Sequence, residues 1–378
     1  MFKKFRLLSL VLLAILCGLV AGILGEIITR VYIFKDFSVP YLSRDLNVAD
    51  LNANRSNVVI SNPQKVVVNA DVKITETLNS LRPSLVGVFK SLPATAGTST
   101  APEYYALNQP LFIGLVITTD GWVAATVPEN VKRDFNLKNY LVITSDRKVY
   151  TIDKIDSSKN LLGDLLLFHL AGANNLNIVK MSTRADLTPG KSLLLLNNLT
   201  AAWPATLVSV KKTAPILSSD TVSRQLLLSL AGTSYKNYLV FDLAGNLSAV
   251  IGSDGAIIPA FSYNAYWLSL VNKTPLGRPW LGINYLDLSV AQPVGVSVSA
   301  GALLYSSASG AAVLKNSPAQ LAGLQAGDII TWVDNQELNA DNDLADLITN
   351  HQAGDTVTLS YRRGGQNLSV DVKLGELK

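Results

Sequence analysis

The sequence has very little cysteine and histidine. Cys17 is the only cysteine among 378 residues, which excludes a disulfide within the chain. The only histidines are His169 and His351, so few side chains are available as a general base near neutral pH. We expect neither a metal ion nor a cofactor.

Charged residues are also scarce, at 16% of the chain, whereas 48% of the residues are hydrophobic. This composition excludes general disorder, and the length is sufficient for more than one domain. The formal net charge is +4, and Lys3, Lys4 and Arg6 supply three of these charges. The remaining charges nearly balance, so the sequence shows no basic surface of the kind that binds nucleic acid.

One long apolar run stands near the start of the chain. Residues Leu7–Gly25 include 19 positions without a charge, which as a helix span roughly 28 Å, close to the ~30 Å hydrocarbon core of a bilayer. The apolar region of a signal peptide is shorter, about 7 to 15 residues. The run therefore predicts an uncleaved transmembrane anchor within residues 7–28. The basic residues before it predict a cytoplasmic tail at 1–6 and a single-pass cell-membrane protein whose bulk is extracytoplasmic.

The composition of the sequence and the spacing of its apolar residues change after this anchor. Residues 29–70 are polar and weakly periodic, which is typical of a juxtamembrane linker. Residues 71–272 then contain short apolar runs separated by Gly, Asn, Asp and Pro. This spacing predicts an all-β barrel or sandwich.

The last part of the chain, residues 273–378, has a different pattern. A short helix is expected to begin at Pro318 and to end near Gly323, and an alternating strand follows from Ile329. Two further strands are expected near the end of the chain, so this part reads as a small α+β module. A second, amphipathic helix presents three apolar residues on one face, namely Leu344, Leu347 and Ile348.

The module resembles the PDZ domain that follows the protease domain in the HtrA/Deg family of serine proteases. Ser317–Ile329, SPAQLAGLQAGDI, matches a motif of that domain, and Arg278–Ile283, RPWLGI, matches its start and its carboxylate-binding loop. The resemblance implies that the amides of Leu281, Gly282 and Ile283 hold the terminal carboxylate of a peptide. The peptide would pair as an added strand beside the second helix. A glycine at 282 would let the backbone approach the anion closely.

The preceding region resembles the trypsin-like double β-barrel of the same family. Ile117–Asn130, ITTDGWVAATVPEN, matches the strand and turn that deliver the catalytic histidine, but Pro128 stands at the histidine position. LLGDLLLFHL matches the segment of the triad aspartate, with Asp164 at that place. His169 lies five residues beyond Asp164 on one expected strand, so the two side chains point to opposite faces.

The nucleophile segment departs further from the family. The family carries G-N-S-G-G-P-L, whereas this chain has AGTSYKNYLVFD. Alignment from the left places Ser234 at the nucleophile, and alignment from the following hairpin places Lys236 there. The first alignment keeps a glycine, Gly232, before the serine, but neither alignment restores the two glycines that follow the family's serine, and Tyr235 and Lys236 stand there instead. The resemblance therefore implies a retained protease fold without an intact catalytic site.

Two functions remain open at this point. The preferred one is a non-catalytic, membrane-anchored HtrA/Deg-like protein whose PDZ domain binds peptide C-termini or misfolded segments in extracytoplasmic protein quality control. The alternative is an active endopeptidase in which Lys236 serves as the base for Ser234. The resemblance also implies a homotrimer, and assembly with an active paralogue remains open.

Overall fold

The computed structural model describes most of the chain beyond residue 69. Val67–Lys378 form one compact unit. The predicted anchor at 7–28 and linker at 29–70 fall almost entirely outside the described residues. In the part of the chain that the structure describes, no helix is both long and apolar enough to cross a membrane. The described residues are 18, 21, 70–92, 104–128, 131, 136–156, 165–212, 214, 216–295, 298–306 and 310–377.

Helix α1, Ala70–Leu81, precedes the first strand and was not among the predicted elements. Its apolar residues Ile74, Leu78 and Leu81 are spaced at helical intervals and pack on one core cluster. The hydroxyl of Thr77 donates a 2.7 Å hydrogen bond to the carbonyl of Leu243. Residues 70–81 are therefore a docked helix and not the first part of a sheet.

Six antiparallel strands close into the first barrel, in the spatial order β1-β2-β3-β6-β5-β4. Strand β1 reads as a continuous apolar run because both of its faces are buried: Val86 lies in the barrel interior, and Leu85 lies in the core that the barrel shares with the second sheet. The bounds are β1 Leu85–Lys90, β2 Phe112–Val116, β3 Trp122–Thr126, β4 Tyr140–Thr144, β5 Val149–Asp156 and β6 Leu165–Leu170.

The second sheet also has six strands, in the order β10-β8-β7-β11-β12-β13. Helix α2, Asn264–Asn272, follows it and buries Tyr266 and Leu270 in the shared core. One short strand of this region, β9, does not join the sheet. The bounds are β7 Ser192–Leu196, β8 Trp203–Lys212, β9 Ile216–Ser218, β10 Arg224–Leu228, β11 Leu239–Asp242, β12 Leu247–Ile251 and β13 Ile257–Pro259.

The last hundred residues form the predicted small α+β module around its own core. Its main sheet has the order β20-β19-β17-β16-β15-β9, while β18 pairs with β17 and β14 with β21. The bounds are β14 Pro279–Trp280, β15 Asn284–Asp287, β16 Ala302–Leu304, α3 Pro318–Leu321, β17 Ile329–Val333, β18 Gln336–Glu337, α4 Leu344–Ile348, β19 Thr356–Arg363, β20 Gln366–Lys373 and β21 Gly375–Glu376.

The helix boundaries of this module follow the sequence signals. The side chain of Ser317 accepts the Gln320 amide at the start of α3, and Pro318 occupies the first helical turn. Gly323, just beyond the helix, has a φ of 80°. The prediction of a mainly β chain that ends in an α+β module is confirmed.

Candidate peptide-binding site

The loop between β14 and β15 directs three successive amides toward one place. The Leu281 amide donates to Asp220 Oδ1 at 3.0 Å, and the Gly282 amide donates to Asp220 Oδ2 at 3.1 Å. The Ile283 amide donates to Ser219 Oγ at 3.1 Å. This loop therefore holds a carboxylate in the structure, and the carboxylate belongs to a side chain of the same protein.

Strand β9 brings that carboxylate to the loop by pairing with the edge of β15. The two strands are antiparallel, with Leu217 opposite Tyr285, and the Ser219 amide continues the ladder with a 2.9 Å bond to the carbonyl of Ile283. Leu217 is only 5% exposed and lies in the apolar core of the module. Added-strand pairing of this kind is how PDZ domains take extended peptides.

The residues predicted to line a peptide site come together around this strand. Leu281 and Ile283 of the loop belong to the same buried cluster as Leu217. The cluster also contains the three predicted residues of the second helix, Leu344, Leu347 and Ile348. We call the surface formed by the β15 edge, the loop at 281–283 and helix α4 the PDZ groove.

The fold of the loop gives a second reason for glycine at position 282, besides the approach of an anion. The φ of Gly282 is +81°, and a Cβ at this position would lie 2.2 Å from the Cβ of Ser317. Both features disfavour any side chain, whether or not an anion is bound. Close approach to an anion, the expected reason for glycine at 282, is thus joined by a second one, because the fold of the loop itself demands glycine.

Burial and hydrogen bonding act in opposite directions on Asp220. Burial raises the pKa of its carboxyl, while the amides of Leu281 and Gly282 and the Ser219 hydroxyl act to lower it. The Arg278 guanidinium donates to the main-chain carbonyl of Asp220. Burial has the larger effect, so the pKa of Asp220 lies above its usual value although its carboxyl accepts bonds from two amides and a hydroxyl.

Ion pairs join the strands on either side of β9 to the module. At the end of β8, Lys212 pairs with Asp287 and, at 3.8 Å, with Asp343. At the start of β10, Arg224 pairs with Asp346 of α4. Burial raises the pKa of Asp346 to about 6, although the Arg224 charge acts to lower it.

The described positions matched to the protease site, Pro128, Ser234 and Lys236, show no catalytic arrangement. Pro128 is half-buried just after β3, and its carbonyl accepts the Val131 amide at 2.9 Å. Ser234 is exposed at the end of a 3₁₀ turn, where its amide donates to the carbonyl of Ala231 at 3.0 Å. Either alignment of the nucleophile uses the Ser234 amide in the oxyanion hole, yet the turn already engages it. Asp164 lies outside the described residues.

The two histidines lie elsewhere. His169 on β6 places Nδ1 2.7 Å from Asp153 Oδ1 on the neighbouring strand β5, and its ring stacks edge-on against Trp122. His351 Nε2 lies 3.4 Å from Asp334. Sequence spacing did not suggest either partner, because the His169 pair depends on strand register and the His351 pair joins two turns that are distant in the sequence. Among the described residues, no group of three or more His, Cys, Asp or Glu side chains is placed to hold a metal ion.

Comparison with known proteins finds matches to the terminal module and to HtrA-type and DegP-like proteases. The PDZ domain family matches residues 282–374. A serine protease Do-like HtrA of Lactococcus lactis is 34% identical over 120 residues, which are 29% of this chain and 28% of that protein. A probable periplasmic serine endoprotease DegP-like of Bartonella henselae is 30% identical over 149 residues, or 36% and 28% of the two chains.

Matches that cover more of the chain have lower sequence identity. A probable periplasmic serine endoprotease DegP-like of Pseudomonas putida is 26% identical over 297 residues, which cover 71% of this chain and 57% of that protein. The solved structure of the HtrA-type protease AlgW with decapeptide is 16% identical, at a TM-score of 0.47 over 80% of this chain and 98% of that chain.

The protein therefore contains a closed six-stranded barrel, a second six-stranded sheet and a terminal PDZ domain. Residues 282–374 match the PDZ domain family, and the curated matches are named HtrA or DegP-like serine proteases, so the chain is similar to the HtrA/Deg proteins that the motifs predicted. The match covers only 28% of the length of each of the first two relatives.

Proposed function

We propose that this protein is a catalytically inactive, membrane-anchored HtrA/Deg relative whose PDZ groove binds peptide C-termini or unfolded segments in extracytoplasmic protein quality control. The observation that carries the proposal is the loop at 281–283, where three successive amides converge on a carboxylate and a hydroxyl. A loop that holds the Asp220 carboxylate has the donors to hold a terminal carboxylate.

The loss of catalysis is supported by two positions. Proline at 128 has no side chain that can accept a proton, and the Ser234 amide is engaged in its own turn. The alternative Ser234 and Lys236 site gains no support, because Lys236 is exposed and a lysine generally needs burial to lose its proton near neutral pH. Loss of a triad member alone lowers catalysis by about 10⁴ to 10⁶.

The location and assembly are parts of the same proposal. The apolar run at 7–25 supports a single-pass anchor, and two of the relatives are named periplasmic. We place the PDZ domain outside the cytoplasmic membrane, in a homotrimer or in an assembly with an active paralogue.

Protease added to cells with a permeabilised outer barrier should digest the PDZ domain, and its protection there would contradict this placement.

Amidating the carboxy terminus of a bound peptide is expected to weaken its binding about 10- to 150-fold. Amidation removes a charge-assisted hydrogen bond, which contributes about 1.5 to 3 kcal/mol. Isothermal titration of the full chain measures this with a peptide chosen from a random carboxy-terminal library and with its amide. Equal affinity for the two forms would show that the loop does not bind terminal carboxylates.

A further inference from the structure

The PDZ groove is already filled by a segment of the same chain. The β15 edge, at which a peptide would add as a strand, is paired with β9. The loop amides, which would hold the terminal carboxylate, are bonded to Ser219 and Asp220. Both recognition features of the groove are therefore satisfied from within the molecule.

Strand β9 lies in the PDZ groove in the way that the carboxy terminus of a bound peptide would. A peptide would enter antiparallel to β15 and end at the loop, and β9 runs in that direction and reaches the loop at Ser219. The chain does not end there, because it continues toward β10. A side chain must then supply the carboxylate, and Asp220 is the next residue.

We propose that residues 216–220 are a resident intramolecular ligand of the PDZ groove, and that a peptide from another protein binds only by displacing them. The inference rests on the proposed function, since it concerns the same groove: it says that the groove is occupied when no peptide is bound, and which peptides can enter it. Tethered to the domain, the segment competes at an effective concentration on the order of millimolar. The apparent affinity for a peptide from another protein equals the affinity of the open groove multiplied by the fraction of molecules in which the groove is open.

The resident segment also indicates which peptides can replace it. Ser219 occupies the place of the last residue, because its amide bonds to Ile283 just before the carboxylate contacts. Leu217, two residues earlier, is buried in the core of the module. A displacing peptide therefore needs a free carboxy terminus and an apolar side chain at the third position from its end. We expect an acidic residue at that position to prevent binding, because an unpaired charge would be buried.

Hydrogen exchange of the full chain tests the displacement without any substitution. The probe is the peptide Ala-Pro-Ile-Leu-Ser-Ser with a free carboxyl group, which copies residues 214–219. Its matched control carries aspartate in place of leucine. In the unliganded protein we expect the amide of Ser219 to be protected. Saturating probe should increase exchange across 216–220, leave β1–β6 unchanged, and have no such effect with the control peptide.

Two results of this experiment would overturn the inference. One is free exchange of the Ser219 amide before any peptide is added, since the segment would then not be bound. The other is binding of the probe without any increase in exchange across 216–220, since the peptide would then occupy another surface.

Asp220→Ala supplies a second, independent measurement. Loss of the carboxylate bonds should open the groove and raise the affinity for the probe about 10- to 150-fold, the range that such charge-assisted bonds represent. Asp254→Ala is the matched control, because Asp254 is exposed and accepts the Ala256 amide in the turn between β12 and β13, far from the groove in the sequence. The control should bind like the wild type.

The outcomes separate this inference from the proposed function. If Asp220→Ala leaves the probe affinity unchanged while the acid form still binds more tightly than the amide, the groove binds carboxy termini but is not gated, and the inference fails alone. If neither the wild type nor Asp220→Ala distinguishes acid from amide, the proposed function fails and the inference fails with it.

Discussion

Replacing Arg224 by alanine should lower the free energy of unfolding by about 3 to 5 kcal/mol. Arg224 is 2% exposed, pairs with Asp346 of α4 and donates to the carbonyl of Ala340 at 2.9 Å. Its removal leaves the largely buried Asp346 carboxylate without its charged partner, and breaking a buried pair from one side has a cost of this size. Denaturant unfolding followed by tryptophan fluorescence measures the loss.

Arg184→Ala is the matched control for this substitution. Arg184 also joins the second half of the barrel region to the PDZ domain, through Asp341 at 2.9 Å, but the Asp341 side chain is 76% exposed. Although the Arg184 side chain is only 23% exposed, we expect a loss below about 1 kcal/mol, because the Asp341 carboxylate stays hydrated when its partner is removed. Equal losses for the two arginines would show that burial of the Arg224 pair has no special weight.

Gly282→Ala should destabilise the PDZ domain by roughly 2 to 5 kcal/mol. A side chain at a φ of +81° has a conformational cost of about 1 to 2 kcal/mol, and the overlap with the Ser317 Cβ at 2.2 Å adds about 1 to 3 kcal/mol of overpacking. Thermal unfolding of the full chain, followed by circular dichroism, measures the shift.

Gly323→Ala separates these two contributions. Gly323 has nearly the same φ, +80°, but a Cβ there meets nothing within 4 Å. Only the conformational cost of about 1 to 2 kcal/mol should remain. If the two alanine variants lose the same stability, the contact with Ser317 does not constrain the loop.

Local motifs were sufficient to predict the PDZ module. The start of α3 at Pro318 and the strand from Ile329 follow from capping and alternation, which are signals carried by neighbouring residues. The buried face of α4 followed from helical spacing in the same way.

Long-range pairing could not be predicted in this way. Strand β9 has three residues, and its partner β15 lies more than sixty residues later in the chain, so no local pattern marks it as a ligand. The pair of His169 and Asp153 was missed for the same reason, because cross-strand register decides it. Sequence comparison also left Ser234 and Lys236 as alternatives, and the residues around them contain no glycine pair that would fix the alignment.

Labelling with a serine-reactive fluorophosphonate probe decides whether the protein is catalytically inactive, as we propose. The full chain should remain unlabelled under conditions in which an active serine protease is fully labelled, because Ser234 has no histidine base and its amide is engaged by Ala231. Ser234→Ala should then be indistinguishable from the wild type. Labelling of the wild type that Ser234→Ala abolishes would contradict the claim and show an active nucleophile at this position.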